Sequence, residues 1–222
     1  MLKTLLSMLY KNRVDRKFRI ARLWSNKMLK KYADVFTGEI ANISGWKDSD
    51  KAGGCYKNYF NRANNYYVTN YGSHASKSEN PNEFFLDLEE PLYPDLTQRF
   101  DVVFNHTVLE HVFHVEKAFT NLCQMARDAV ILVVPFIQVQ HISSDYKDYW
   151  RFTPYCIERL FNNNQYTLVV CEYNNHYNAA TYLFCIGIRD VELNKYNAFK
   201  KCDLATLSAP GRWVGRRLFQ QT

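Results

Sequence analysis

Short apolar runs rich in β-branched and aromatic residues recur from about residue 38 onward, and they predict a sheet. Seven of these runs have the length and composition of strands, with helical or turn-forming segments between them. They are Ile40–Ile43, Tyr66–Thr69, Glu83–Leu86, Asp101–Phe104, Ala129–Val134, Thr167–Cys171 and Thr181–Ile188.

Helical spacing of apolar residues between strand runs is clearest over Leu109–Arg127. Strands that alternate with helices indicate an α/β fold with a mainly parallel sheet and helices on both faces. The last two strand runs are separated only by Glu172–Ala180, which is too short for a crossover helix, so they are expected to form an antiparallel hairpin. The predicted fold is a doubly wound, Rossmann-like, seven-stranded sheet that is mainly parallel and ends in this hairpin.

The N-terminal segment has helical spacing of a different kind, with apolar positions set among Lys and Arg. Leu2, Leu5, Leu6 and Leu9 share one face, and a second apolar set runs from Phe18 to Leu29. One or two basic amphipathic helices are therefore expected. Such a segment either contacts an anionic membrane or polyanion, or packs on its own domain with a solvated basic face.

Charge divides the chain into three parts. Residues 1–34 carry ten Lys and Arg against two Asp, and residues 191–222 carry six against two acids, which leaves 12 basic and 18 acidic residues between them. With 222 residues and 47% hydrophobic content, the chain is long enough for one substantial core. We therefore predict a basic N-terminal extension (1–34), one α/β domain (35–190) and a basic C-terminal tail (191–222).

Localisation is predicted from what the sequence lacks. Lys3, Thr4 and Ser7 interrupt the N-terminal apolar residues before a signal-peptide core can form, and no later stretch reaches the roughly 18 apolar residues of a membrane span. The six widely spaced cysteines form no CxxC pair and are interpreted as small buried residues in a reducing compartment. The expected location is the cytoplasm, with peripheral contact at the inner membrane face through residues 1–34 as the alternative.

The segment Phe100–Val112 carries the strongest local motif. It combines an F-D-V-V strand, the polar pair Asn105 and His106 at the carboxyl end of that strand, and a following L-E-H that contains Glu110. Ligands of open α/β sheets bind at this edge, and an acid suits the first turn of a helix. The segment resembles the fourth-strand motif of small-molecule, type 11-like class I S-adenosylmethionine-dependent methyltransferases.

Further segments match the same family in the expected order. Ala129–Pro135 is similar to its fifth strand, and Tyr149–Pro154 is similar to its W-R-F-T segment before a helix. The resemblance extends from about Glu39 to Arg189, roughly two-thirds of the chain. It implies S-adenosylmethionine as cofactor and methyl transfer as the reaction.

The resemblance also implies cofactor-binding positions. Asp87 and Leu88 follow the third strand, where the family binds the adenine ring, and Asn105 lies at the end of the fourth. Asn70 stands where the family usually has an acid for the ribose hydroxyls. The loop after the first strand, which approaches the methionine end, consists here of Asn42, Ser44, Gly45 and Trp46, with Asn42 in place of the usual carboxylate and a single glycine.

Histidines near the same edge are candidates for the base that removes a hydroxyl proton from the acceptor. His141, after the fifth strand, is the first choice and His106 the second. The charged and aromatic cluster of Asp145, Asp148, Tyr149 and Arg151 suits a sugar or another polar acceptor, because rings stack on sugars and carboxylates accept their hydroxyl hydrogen bonds. The alternative is a lid loop in which Arg151 forms an internal salt bridge.

No metal is expected, although Glu110 and His111 are weak candidates. Some ubiquinone-pathway O-methyltransferases hold a divalent cation with an E-x-x-E-H run, and this chain has Thr107 where the first Glu would stand. One carboxylate of that set is therefore missing.

Three functions remain open. The first is methyl transfer to a small or carrier-linked hydroxyl acceptor, such as a saccharide in surface-glycan biosynthesis. The second is a catalytically inactive methyltransferase-like scaffold, suggested by Asn42 and Asn70. The third is a nucleic-acid methyltransferase, favoured by the basic ends, with Arg212, Arg216 and Arg217, but opposed by the acidic central domain and the lack of an N/D-P-P-Y/F motif.

Overall fold

The computed structural model describes residues 19–71, 81–144, 146–176, 179–192 and 194–207. Three α-helices are present in this part of the chain: α1 over residues 19–32, α2 (Val115–Met125) and α3 (Pro154–Asn163). The strands are β1 (Gly38–Ile43), β2 (Ala63–Asn70), β3 (Glu83–Phe85), β4 (Phe100–His106), β5 (Ala126–Ile137), β6 (Thr167–Tyr173) and β7 (Thr181–Ile188). Each strand overlaps one of the seven predicted runs, although the bounds differ, most of all for β5, which extends the predicted Ala129–Val134 at both ends.

All seven strands form a single sheet in the order β3-β2-β1-β4-β5-β7-β6. The neighbours from β3 to β5 are parallel, whereas β7 runs antiparallel to both β5 and β6. The predicted mainly parallel sheet with a terminal hairpin is confirmed. Asn42 pairs with Phe104 and Ile43 with Asn105, so the carboxyl ends of β1 and β4 lie side by side.

Each face of the sheet has its own hydrophobic core, because side chains of a strand point alternately to opposite faces. On β4, Val102 and Phe104 contribute to the core under α1, whereas Val103 belongs to the core under α2 and α3. Residues after β7 also take part, since Tyr196 and Leu204 are buried against the two cores. The central strands are therefore covered on both sides.

The described part of α1 packs on the domain. Ala21, Met28 and Leu29 are buried, whereas Lys27 and Lys30 are exposed. For residues 19–32 this confirms the interpretation of a helix packed on its own domain with a solvated basic face. Residues 1–18 and the arginines at 212, 216 and 217 lie outside the described residues. No helix in the described part of the chain is long and apolar enough to cross a bilayer.

The helix predicted over Leu109–Arg127 is shorter than expected. A 3-10 turn occupies Leu109–His111, α2 begins only at Val115, and Arg127 already belongs to β5. The carbonyl of Glu110 accepts the N–H of Tyr149 (2.7 Å) instead of that of His114, which donates to the Glu89 carboxylate (2.8 Å). Tertiary hydrogen bonds thus replace the helical bond, and the prediction that Glu110 lies in the first turn of an α-helix is wrong.

The cysteines are only partly buried. Cys123, Cys171 and Cys185 are buried and free, as predicted for small apolar residues. Cys55 and Cys156 are also free but exposed, so the buried interpretation is wrong for these two.

The start of α3 gives a test of local stability. Thr153 is its N-cap, and its hydroxyl accepts the N–H of Cys156 (3.2 Å). We expect Thr153→Ala to lower the free energy of unfolding by about 1 kcal/mol, because one orphan N–H loses its partner. Urea denaturation measures this change. Thr153→Ser retains the hydroxyl and should lose less than half as much; an equal loss in both variants would contradict a capping role.

Candidate functional site

A cavity of about 640 Å³ opens at the carboxyl ends of β1 to β4. Ligand sites of open α/β sheets occupy this edge and have volumes of this order. Most of the predicted site residues meet in its wall. They are Asn42, Ser44, Gly45, Trp46, Asn70, Asp87, Leu88, His106, His141 and Tyr149.

The loop after β1 packs closely against the end of β2. The N–H groups of Ser44 and Gly45 donate to the hydroxyl and carbonyl oxygens of Thr69 on β2 (both 3.0 Å). Ser44 and Trp46 adopt left-handed conformations with φ of 57° and 49°. A Cβ atom at Gly45 would lie 2.5 Å from the Asn42 amide nitrogen, so this one glycine is required by close packing.

Asn42 has an internal partner that sequence reasoning did not assign. Its amide donates to Asp48 Oδ1 (2.8 Å), which also accepts from the Tyr66 hydroxyl (2.7 Å), and Asp48 Oδ2 accepts the N–H of Lys57 (2.9 Å). A carboxylate at position 42 would repel Asp48 at this distance. The amide therefore fits the loop, and the departure from the family pattern has a structural cause.

Asn70 and Asp87 both line the cavity and both contact the protein. The Asn70 amide donates to the Glu83 carboxylate (2.5 Å) and to the Trp46 carbonyl (3.2 Å), linking β2, β3 and the first loop. Asp87 Oδ1 accepts the N–H of Glu89 (2.8 Å), a contact typical of an aspartate that opens a turn. Neither contact removes these side chains from the cavity wall.

Arg22 on α1 is the principal site residue that sequence reasoning missed. One terminal nitrogen lies 3.1 Å from both the Tyr56 hydroxyl and His106 Nδ1, and the other donates to Thr107 Oγ1 (2.9 Å). These partners are neutral, and no carboxylate among the described residues forms an ion pair with Arg22. Lys51 adds a second cation to the cavity wall. Nothing in the local spacing signals that this helix reaches the sheet edge.

His106 does not have the geometry of a general base. Its Nδ1 faces the Arg22 guanidinium, so this atom carries the lone pair. The opposite nitrogen, Nε2, lies 2.8 Å from the hydroxyl of Ser25, which itself donates to the Arg22 carbonyl (2.9 Å). Burial and the charge of Arg22 hold the pKa of His106 well below its usual range. His106 therefore orients Arg22, and the structure corrects its prediction as a catalytic base.

Glu110, His111 and His141 form a second cluster beside the cavity. The rings of His111 and His141 are 4.8 Å apart and nearly perpendicular, and both line the cavity with Tyr146. The Glu110 side chain is only 1% exposed, and burial raises its pKa to about 8. The structure thus joins a histidine from the loop after β5 to the L-E-H segment after β4.

Two predicted substrate residues bind each other instead of lining the cavity. Arg151 forms a bidentate ion pair with Asp148 (2.6 and 2.7 Å), which also accepts the backbone N–H of His141 (2.7 Å). Although burial acts to raise the pKa of Asp148, Arg151 and this N–H hold it below its usual value. The prediction of substrate contact is therefore corrected to the internal salt bridge considered as its alternative.

Two further predicted site residues are not among the described residues that line the cavity. Asn105, a predicted cofactor residue, is fully buried and is not among the cavity-lining residues; its amide donates to the Ile43 carbonyl (3.1 Å), so it is not positioned to contact a ligand in this cavity. Asp145 lies outside the described residues.

Comparisons with solved structures identify the fold. Magnesium protoporphyrin IX methyltransferase of Synechocystis, solved with bound S-adenosylhomocysteine, is 9% identical with a TM-score of 0.55 over 80% of this chain and 87% of that one. The Burkholderia thailandensis 1,6-didemethyltoxoflavin-N1-methyltransferase is 13% identical with a TM-score of 0.52 over 84% and 85%. The YcgJ protein of Bacillus subtilis is 11% identical with a TM-score of 0.53 over 74% and 97%.

The chain therefore has the fold of class I methyltransferases. No protein-family model and no curated protein sequence matches it.

Proposed function

We propose that the protein transfers a methyl group from S-adenosylmethionine to a hydroxyl of a small or carrier-linked acceptor. The observation that supports this most directly is the cavity itself. It combines the closely packed first loop, Asn70, Asp87 and the half-buried Arg22, which has no acidic partner among the described residues, at the carboxyl ends of four adjacent strands. Two of the solved structures of the same fold named above contain S-adenosylhomocysteine, the demethylated cofactor.

The cavity residues along this edge of the sheet suit the successive parts of the cofactor. Asp87 and Leu88 would hold the adenine ring, and Asn70 the ribose. The backbone of Ser44 and Gly45 would adjoin the methionine end. The carboxylate at the methionine end would pair with a cation. Arg22 suits this role, because no acid among the described residues neutralises its charge. When bound, the cofactor supplies the methyl group on a positively charged sulfur.

The acceptor would bind at the other end of the cavity, beside His111 and His141. Tyr146 and Tyr149 line this end and keep 41% and 47% of their surface exposed. Exposed rings in a polar cavity suit a saccharide, which is the acceptor class that we propose within surface-glycan biosynthesis. His141, on the loop after β5, is the proposed base for the acceptor hydroxyl.

An inactive scaffold is the second candidate, and it is favoured by one observation. The Asn70 amide nitrogen donates to Glu83 and Trp46, and no carboxylate among the described residues at the end of β2 is available for the ribose hydroxyls. Weakened cofactor binding would follow from this arrangement.

Calorimetric titration with S-adenosylhomocysteine distinguishes the two candidates. We expect micromolar binding to the wild-type protein and about tenfold weaker binding to Asp87→Ala, because loss of one hydrogen bond to adenine costs about 1.4 kcal/mol. Asp95→Ala removes an exposed carboxylate outside the cavity and should bind as wild type does. No binding to the wild-type protein at millimolar ligand would overturn the catalytic proposal and favour the scaffold.

A further inference from the structure

A buried carboxylate without hydrogen bonds lies next to two histidines. The ligand atoms of Glu110, His111 and His141 all lie within 4.8 Å of one another. Glu110 is 1% exposed, and neither of its carboxylate oxygens has a hydrogen-bond partner. Burying a polar group without a partner costs several kcal/mol, so such a group in a cluster of potential ligands calls for a missing partner.

His111 is held in the orientation and tautomer that a metal ligand needs. Its Nδ1 lies 2.6 Å from the carbonyl of Lys147, so Nδ1 carries the proton and donates it to this oxygen. The lone pair is therefore on Nε2, which is 3.8 Å from Glu110 Oε1. Histidines that bind metals characteristically donate their other N–H to a backbone carbonyl or a carboxylate.

His141 has a comparable arrangement on its outer side. Its Nδ1 lies 2.6 Å from the amide of Gln138 and 3.3 Å from Asp148 Oδ2. The Gln138 amide oxygen is buried without a hydrogen-bond partner. The oxygen and nitrogen of a side-chain amide are assigned from their hydrogen bonds, and exchanging them at Gln138 places its oxygen next to His141 Nδ1. His141 Nδ1 then donates to Gln138 and Asp148, and its lone pair lies on Nε2.

We propose that Glu110, His111 and His141 form a binding site for a divalent transition metal such as Zn²⁺. Two imidazoles and one carboxylate are a ligand set that Zn²⁺, Fe²⁺ and Mn²⁺ accept. Ligand atoms about 2.1 Å from a tetrahedral Zn²⁺ are about 3.4 Å apart, so atoms that now lie within 4.8 Å of one another need to approach by at most about 1.4 Å. His141 joins Glu110 and His111 from the loop after β5, whereas Thr107 Oγ1 accepts a hydrogen bond from Arg22.

The site would leave one coordination position open towards the cavity, because both histidines line it. A metal ion there would bind the acceptor hydroxyl and lower its pKa, so that solvent water in the open cavity could take its proton. His141 then acts as a ligand. Metal binding itself does not depend on methyl transfer, so the two proposals can fail separately.

Metal binding is tested on the full chain, stripped with a chelator and titrated with Co²⁺ and Zn²⁺. We expect one ion per chain by elemental mass spectrometry, and visible absorption bands of cobalt in a low-coordinate site. Glu110→Gln and His141→Ala should each weaken Zn²⁺ binding by about 100-fold or more, since even outer contacts of metal ligands contribute 10- to 100-fold. His114→Ala removes a nearby histidine outside the cluster and should bind as wild type does.

The outcomes separate the proposals. Equal Zn²⁺ affinity in wild type, Glu110→Gln and His141→Ala, or less than one ion per wild-type chain, would overturn the metal site. Glu110→Gln is nearly isosteric, and circular dichroism shows whether each variant is folded. S-adenosylhomocysteine titration of the same samples tests the proposed function independently of the metal.

Discussion

Replacing Arg22 by methionine is expected to weaken S-adenosylhomocysteine binding by about 10- to 100-fold. A hydrogen bond to a charged group contributes about 1.5–3 kcal/mol, and the binding loss follows from it. Arg22 is held at the cavity wall by His106, Thr107 and Tyr56, so it meets the cofactor carboxylate without first being ordered. Isothermal titration calorimetry measures the change.

Two variants control this experiment. Lys27→Met removes a cation from the exposed face of the same helix and should leave the affinity unchanged. Arg22→Lys retains the charge but loses the planar fork, and an intermediate affinity is expected. If folded Arg22→Met protein binds as tightly as wild type, Arg22 does not contact the cofactor, and its charge is then available to an anionic acceptor.

Replacing Phe161 by alanine is expected to lower the free energy of unfolding by about 3–5 kcal/mol, a large part of the 5–15 kcal/mol typical of a domain. Phe161 on α3 is fully buried, and its ring contacts that of Phe119 edge to face at 5.0 Å. Urea denaturation measures the loss. Phe113→Ala, at a ring that is 56% exposed, should cost less than about 1 kcal/mol.

Gly187 makes the same contact testable by a double-mutant cycle. A Cβ atom at Gly187 would lie 2.2 Å from the Phe161 ring, so Gly187→Ala alone is expected to cost about 1–3 kcal/mol. On the Phe161→Ala background the added methyl has space, and the cost should fall by at least about 1 kcal/mol. Strictly additive losses would show that this contact does not determine how α3 packs on β7.

The elements that the sequence determined are those with a strong local signal. Continuous apolar runs such as Ala129–Val134 can be satisfied only inside a sheet covered on both faces, and the nine-residue gap Glu172–Ala180 permits only a hairpin. The carboxyl ends of parallel strands share one edge, so the sequence alone predicts that Asn42, Asn70 and Asp87 lie at one cavity.

Contacts between distant segments were decided by the tertiary structure alone. The helix expected from Leu109 was shortened because Tyr149, 39 residues beyond Glu110, took the Glu110 carbonyl. Arg22 lies 84 residues before His106 yet binds it, since α1 packs across the sheet next to β4. In neither pair does the local sequence around one residue identify the other as its contact.

The sequence by itself therefore determined the α/β sheet, its hairpin and the edge where ligands bind, because periodicity and strand order are properties of local chain segments. Only the tertiary structure decided which side chains face that cavity. It buried Asn105 against Ile43 and brought His141 to Glu110 and His111. These outcomes depend on distances and burial between residues far apart in the chain, which no local pattern encodes.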